Sequence, residues 1–157
     1  MRPAEELRYL ILAIQREGNR LLAADLRPLG VTPSQAEVLQ VLAHHQPLTL
    51  LGLGELLVCE TGGSPSRLVD RLVAAGLVRR NTDPADRRQI TLTLTEDGQR
   101  LSAQIATVEQ QLYRTIDQLT LDTPVHETLT LLRKVASAFP AGQALARRRD
   151  QNSTTAP

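Results

Sequence analysis

The stretch from residue 64 to residue 94 constrains the fold most, because it combines a short helix with a hairpin that follows directly. In "SPSRLVDRLVAAG", Ser64 can serve as the N-cap, Pro65 suits the first helical position, and Gly76 can end the helix. "LVRRN" and "QITLTLT" then each predict a strand, the second by strict alternation of apolar residues with threonines. The loop "TDPADRR" joins them. The pattern therefore predicts a helix followed by a two-stranded hairpin with a charged tip.

Two further short helices are predicted ahead of this unit. In "LGVTPSQAEVLQVL", Thr32 and Gln35 form a capping box around Pro33, which predicts a helix through about Ala43. Thr49 can cap a short helix in "LLGLGELLV", although two glycines weaken it. Three short helices and a hairpin are the order of a winged helix-turn-helix, in which the third helix lies in the major groove of DNA. We therefore expect a DNA-binding unit over about 32–94.

Long amphipathic helices are expected on both sides of this unit, at about 4–24, 95–120 and 123–138, because apolar residues recur there at helical spacing. Each of these helices is too long for its apolar stripe to be covered by the winged helix-turn-helix unit of one chain. We therefore expect the stripes to pack against a second copy of the chain. The predicted fold is mainly α over residues 1–139: a winged helix-turn-helix with a two-stranded β wing and long N- and C-terminal dimerisation helices. Residues 140–157 are small, polar and unpatterned, which predicts a mobile tail.

The predicted groove helix carries the residue types that DNA recognition requires. Arg67 and Arg71 fall on its outward side, where guanidinium groups can donate to bases and phosphates, and Ser64 and Ser66 at its start can reach phosphate or base. The alternative for such arginines is a solvated helix face. Asp70 is better suited to orienting a neighbouring arginine than to accepting from cytosine.

The hairpin tip adds a second candidate contact. Arg87 and Arg88 can enter the adjacent minor groove or hold its phosphates, with Asp83 or Asp86 fixing their direction. Residues 64–91 carry six arginines and three aspartates, an excess of three positive charges on a chain whose net charge is +1. The positive charge is therefore concentrated in the predicted DNA-facing unit.

Three blocks of this sequence, "LGVTPSQAEVLQVL", "SPSRLVDRLVAAGLVRR" and "DPADRRQITLTLTEDGQRL", resemble in order and spacing the MarR family of bacterial transcription regulators. The resemblance spans 29–101 and implies a homodimer that reads inverted-repeat operators, usually as a repressor released by a small ligand or by cysteine oxidation. It assigns Arg88 as the minor-groove arginine and Asp86 as the acid that orients it. The chain departs from the family pattern at "VCETGGSPSR", where paired glycines and a cysteine precede the groove helix.

Other function classes find little support. The lone cysteine, Cys59, excludes an internal disulfide framework; it is a possible redox sensor beside the turn, or a small buried apolar residue. His44, His45 and His126 have no recognised ligand spacing, so we expect no metal, and no cofactor-binding or catalytic motif predicts an enzyme. Aromatic residues, at 2%, are too few for a base-stacking platform.

The sequence hypothesis is a sequence-specific regulator of transcription that binds double-stranded DNA, a homodimeric repressor on a pseudo-palindromic operator, with a small-molecule effector as a further partner. The alternative is a winged-helix protein-interaction module without DNA binding. The N-terminal "MRPAEELRYL" contains acidic residues and precedes no uninterrupted apolar run, so we expect no signal peptide, no membrane association and a cytoplasmic location.

Overall fold

The computed structural model describes residues 1–59, 64–82 and 89–155, which form a small sheet surrounded by helices. The fold is mainly α, as predicted. The elements in chain order are α1 (Pro3–Leu26), α2 (Pro33–His45), β1 (Leu48–Thr49), α3 (Leu50–Leu56), α4 (Pro65–Ala74), β2 (Val78–Thr82), β3 (Ile90–Leu94), α5 (Glu96–Leu119), α6 (Val125–Ala136) and α7 (Pro140–Thr155).

Local capping starts four of these helices, and three of the caps are those predicted above. The capping box of α2 is complete, with the Gln35 N–H donating to Thr32 Oγ1 at 3.3 Å and the Thr32 N–H donating to Gln35 Oε1 at 2.9 Å. The side chains of Thr49, Ser64 and Thr95 accept hydrogen bonds from the first turns of α3, α4 and α5. Each cap satisfies a backbone donor that a helix N-terminus leaves unpaired.

The sheet has three antiparallel strands in the order β1-β3-β2. The predicted hairpin of β2 and β3 is confirmed, with a register that pairs Val78 with Leu94 and Thr82 with Ile90. The third strand, β1, was not predicted, because two residues are too few to show an alternating pattern.

The core lies between α2, α3, α4, the sheet and the first half of α5. Its fully buried large side chains are Leu26, Val38, Leu39, Leu42, Leu53, Leu56, Val69, Leu72, Leu92 and Ile105. At the start of α5, Gly98 lies so close to the backbone of Leu77 that a Cβ there would stand 2.0 Å from the Leu77 carbonyl oxygen. Only a residue without a side chain allows α5 to pack this closely against the turn before the sheet.

The long helices leave much of their apolar surface uncovered within one chain. On α5, Ile105 is fully buried, whereas Ile116 is 48% exposed and Leu119 is 78% exposed. On α1, Ile14 is 72% exposed. Within the described ranges, no helix has the combined length and apolarity needed to cross a membrane.

The prediction of a mobile tail over 140–157 is wrong for the described part of that segment. Residues 140–155 form α7, which packs against α3 and α6. Ala144 is 3% exposed, and Arg148 forms hydrogen bonds 92 and 111 residues away in sequence. The contacting face consists mainly of alanines and arginine, so its helical pattern lacks the large apolar residues on which periodicity arguments depend.

Candidate nucleic-acid interface

The helix proposed to enter the groove, α4, begins at a well-defined point. Ser64 accepts a hydrogen bond from the Arg67 N–H at 3.5 Å, and Pro65 occupies the first helical position. A Cβ built on Gly54 of α3 would lie 3.7 Å from Pro65 Cγ, so the end of α3 and the start of α4 are in close contact. This arrangement of α3 and α4 is a helix-turn-helix.

One side of α4 is buried and the other faces solvent. Leu68, Val69 and Leu72 lie in the core, whereas Arg67 and Arg71 are exposed. Among the described residues, neither of these two arginines has an ion-pair partner. The structure therefore leaves both guanidinium groups available to an external anion. Of the two predicted serines, Ser64 is used as the N-cap and Ser66 lies in the first turn, both half-buried.

The acidic residue of α4 is paired with an arginine on the sheet. Asp70 Oδ1 accepts a hydrogen bond from Arg80 Nη2 at 2.5 Å. This contact agrees with the prediction that Asp70 orients a neighbouring arginine. Arg79 and Arg80 are both exposed, and the register of β2 with β3, which pairs Arg79 with Thr93 and Arg80 with Leu92, places them on opposite faces of the sheet.

The hairpin tip lies outside the described residues. Asp83, Asp86, Arg87 and Arg88 belong to the segment between β2 and Gln89. The roles assigned to them from the sequence remain predictions. The structure does describe the two strands of the hairpin, in which Ile90 beside the tip is 49% exposed while Leu92 and Leu94 are buried.

Cys59 lies between α3 and α4 and faces Glu37 of α2. Burial, followed by the hydrogen bond and negative charge of the Glu37 carboxylate, raises the pKa of the Cys59 thiol to about 12. A thiol with so high a pKa is almost entirely protonated at neutral pH, and the thiolate is the form that reacts with oxidants. Glu37 lies 22 residues from Cys59 in sequence and was not predicted as a neighbour of this thiol.

Glu37 itself is held as a carboxylate. Burial alone would raise its pKa, but hydrogen bonds from the Cys59 thiol, the Val58 N–H and Arg148 outweigh burial, so the pKa of Glu37 lies below its ordinary value. Arg148 of α7 forms an ion pair with this carboxylate. Neither Glu37 nor Arg148 was singled out as a site residue from sequence, because 111 residues separate them.

A crevice of about 820 Å³ opens between α1, α2, α5 and α7. Its lining includes Arg16 and Arg20 of α1 together with Glu37, Glu109 and Arg148. Burial raises the pKa of Glu109, while a hydrogen bond with the Tyr113 side chain lowers it to a smaller extent. The crevice thus offers both cationic and acidic groups next to the helix-turn-helix.

Comparison with known proteins places these features in one family. The sequence profile of the MarR family matches residues 29–89. The Bacillus subtilis (strain 168) organic hydroperoxide resistance transcriptional regulator is 31% identical over 98 residues, 62% of this chain and 66% of that protein. The Escherichia coli (strain K12) multiple antibiotic resistance protein MarR is 32% identical over 130 residues, 80% of this chain and 88% of that protein.

A solved structure extends the similarity to three dimensions. The crystal structure of a mutant MarR from E. coli complexed with operator DNA matches with a TM-score of 0.68 at 29% identity, covering 86% of this chain and 94% of that chain. This coverage reaches well beyond the helix-turn-helix, so the fold is shared in the flanking helices as well.

Proposed function

We propose that this chain, which belongs to the MarR family, is a transcription regulator that binds double-stranded DNA as a homodimer, with α4 in the major groove. The observation that supports this most directly is the solvent-facing side of α4. Arg67 and Arg71 project from it, and Asp70 between them is engaged by Arg80. Guanidinium groups on an exposed helix face are suited to bidentate contacts with guanine and to phosphate contacts.

The long helices support the dimeric part of the proposal. Ile14, Ile116 and Leu119 are large apolar residues that one chain leaves exposed. A second copy related by a two-fold axis would cover them, as expected for an isologous interface. The two α4 helices would then read half-sites about one helical turn apart, on the order of 34 Å, in a pseudo-palindromic operator.

Repression is the direction we propose, with release by a small molecule bound in the crevice next to the helix-turn-helix. The crevice joins α1 and α5 of the proposed dimerisation region to Glu37 in the DNA-binding unit. A ligand there would contact both regions and could change their relative placement. Release by oxidation of Cys59 is disfavoured, because its thiol has a pKa of about 12.

The test is binding of the full chain to the intergenic region upstream of its own gene, measured across a salt series. We expect Arg67→Ala and Arg71→Ala to change base preference, each by about 1–3 kcal/mol of discrimination. Arg88→Ala is expected to weaken binding to all sequences and to reduce the salt slope by about 1. Arg133→Ala removes the same charge from an exposed position on α6 and serves as the control.

Two results would contradict the proposal. If affinity for genomic fragments shows no salt dependence, the protein-interaction alternative becomes the better account of this fold. If the Arg67 and Arg71 variants match the native chain in both affinity and selectivity, α4 is not the groove helix.

A further inference from the structure

The C-terminal helix supplies hydrogen bonds that end α3. Arg147 Nε donates to the Glu55 carbonyl oxygen at 3.0 Å, and Arg148 donates to the Leu56 carbonyl oxygen from Nε at 3.1 Å and from Nη2 at 2.7 Å. The last carbonyls of a helix have no partner within that helix and carry a partial negative charge. Two cationic side chains of α7 therefore satisfy the C-terminus of a seven-residue helix.

Glu37 of α2 completes the arrangement on the next two residues. Its Oε1 accepts from the Val58 N–H at 2.9 Å and its Oε2 accepts from the Cys59 N–H at 2.8 Å. Arg148 Nη2 donates to the same carboxylate, and the two charged side chains are only 24% and 15% exposed, in that order. Backbone groups of four residues between 55 and 59 are thus held by α2 and α7.

Residues 55–59 are the part of the helix-turn-helix at which the chain leaves α3 and continues toward α4. Ser64 and Pro65, at the start of α4, line the same cavity of about 810 Å³ as Cys59 of the segment and Arg147 of α7. The contacts of α7 therefore lie beside the start of the groove helix. Neither Glu37 nor Arg148 projects from the outward face of α4, so neither has the placement of a residue that reads bases.

We propose that Glu37 and Arg148 are positioning residues for DNA binding, and that α7 sets the placement of the helix-turn-helix through the ion pair they form. We call the contacts of Glu37, Arg147 and Arg148 with residues 55–59 the brace. The effect on DNA binding rests on the proposed function, whereas the existence of the brace does not. Removing Arg148 leaves the Leu56 carbonyl without either of its guanidinium donors and leaves a poorly exposed carboxylate without its cation, and both changes disfavour the observed conformation of 55–59.

The experiment compares the full chain with Arg148→Gln and with a matched control, Arg133→Gln, which removes the same charge from an exposed position on α6. The lone cysteine reports directly on the segment, so the first measurement is the rate at which iodoacetamide alkylates Cys59. We expect alkylation to be faster by on the order of tenfold in Arg148→Gln and unchanged in Arg133→Gln. Unchanged alkylation in both variants would overturn the brace.

The second measurement uses two DNA probes: a duplex selected by the native chain from a randomised pool, and a base-composition-matched random duplex. For Arg148→Gln we expect affinity for the selected duplex to fall by about tenfold, with affinity for the random duplex and the salt slope unchanged. A loss of folding alone would lower both affinities together. Arg148→Lys keeps the charge but lacks the guanidinium fork, so it should restore part of the selected-duplex affinity.

The remaining outcomes separate the two proposals. If the salt slope of Arg148→Gln falls by about 1, Arg148 contacts phosphate directly and the positioning role is wrong. If alkylation rises while the ratio of the two affinities is unchanged, the brace exists but does not position the groove helix. If the native chain selects no duplex at all, the proposed function fails, and with it the role in DNA binding, while the alkylation result still decides whether the brace exists. If Arg148→Gln does not fold, Arg148→Lys is measured in the same way, with a smaller increase in alkylation expected.

Discussion

Two regions of the molecule bury their apolar residues in different ways. The first is the helix-turn-helix with its sheet, and the second consists of the long flanking helices α1, α5 and α6. In the first region, Leu39, Leu53 and Leu72 are fully buried by other parts of the same chain. In the second, Ile14 and Leu119 are 72% and 78% exposed. One region completes its core within the protomer, whereas the other requires a further surface to cover it.

Helix α5 belongs to both regions and shows where the change occurs. Its first half contributes Ile105 to the core and places Gly98 against the Leu77 carbonyl, whereas Ile116 in its second half is 48% exposed. Isolated helical segments have little stability of their own, so the far half of α5 depends on whatever packs against it. We therefore expect the stability of α1 and of the far half of α5 to depend on protomer concentration more than the stability of the helix-turn-helix and its sheet does.

The largest effect is expected from a single added methyl group in the region that completes its core within one protomer, which we call the closed region. Gly98→Ala places a Cβ 2.0 Å from the Leu77 carbonyl oxygen, so backbone must shift, and we expect the free energy of unfolding to fall by about 3 kcal/mol. Gly18→Ala is the matched control on α1, because a Cβ there has nothing within 4 Å and should be neutral or stabilise by up to about 1 kcal/mol. Denaturant unfolding of both variants checks this; equal losses would contradict the contrast between the two regions.

A smaller effect is expected from a charge placed in the region whose apolar residues need a further surface to cover them, which we call the open region. Ile116→Glu puts a carboxylate into the apolar surface that we assign to the dimer, and the dimer dissociation constant should rise by about 100-fold, or about 2.7 kcal/mol. Gln110→Glu introduces the same charge at an exposed position of α5, about 120° around the helix from Ile116, and should leave the dissociation constant unchanged. Sedimentation equilibrium measures both. A dimer that tolerates Ile116→Glu would place the interface elsewhere.

The smallest effect is expected at Cys59, which lies in the closed region beside Glu37. Folding raises the pKa of this thiol from 9.0 to about 12. The stability that the protonated thiol contributes is therefore fully present below pH 9 and is lost as pH rises toward 12. At neutral pH peroxide should therefore leave DNA binding unchanged, in the native chain and in Cys59→Ser alike. Binding that peroxide abolishes only in the native chain would restore the redox hypothesis.

Local sequence signals were enough for most of the fold because their causes are local. A cap such as Thr32 or Ser64 bonds to a backbone group three residues away, and the alternation of β3 decides which of its side chains face the core. The solvent-facing placement of Arg67 and Arg71 follows in the same way from the helical period of α4. The roles of the hairpin tip remain predictions, because residues 83–88 lie outside the described ranges.

Local sequence patterns were therefore sufficient for the order of α1 to α6 and of the hairpin strands β2 and β3, for the face of α4 that carries arginines, and for the apolar stripes that one chain cannot cover. The packing of distant elements was needed to show that residues 140–155 form a helix, that Arg148 contacts Glu37 across 111 residues, and that burial together with this carboxylate raises the pKa of the Cys59 thiol to about 12. The difference follows from the range over which the interactions act. Caps and periodicity act over a few residues, whereas the protonation of a buried group and the partners of a helix end depend on which distant elements pack beside them.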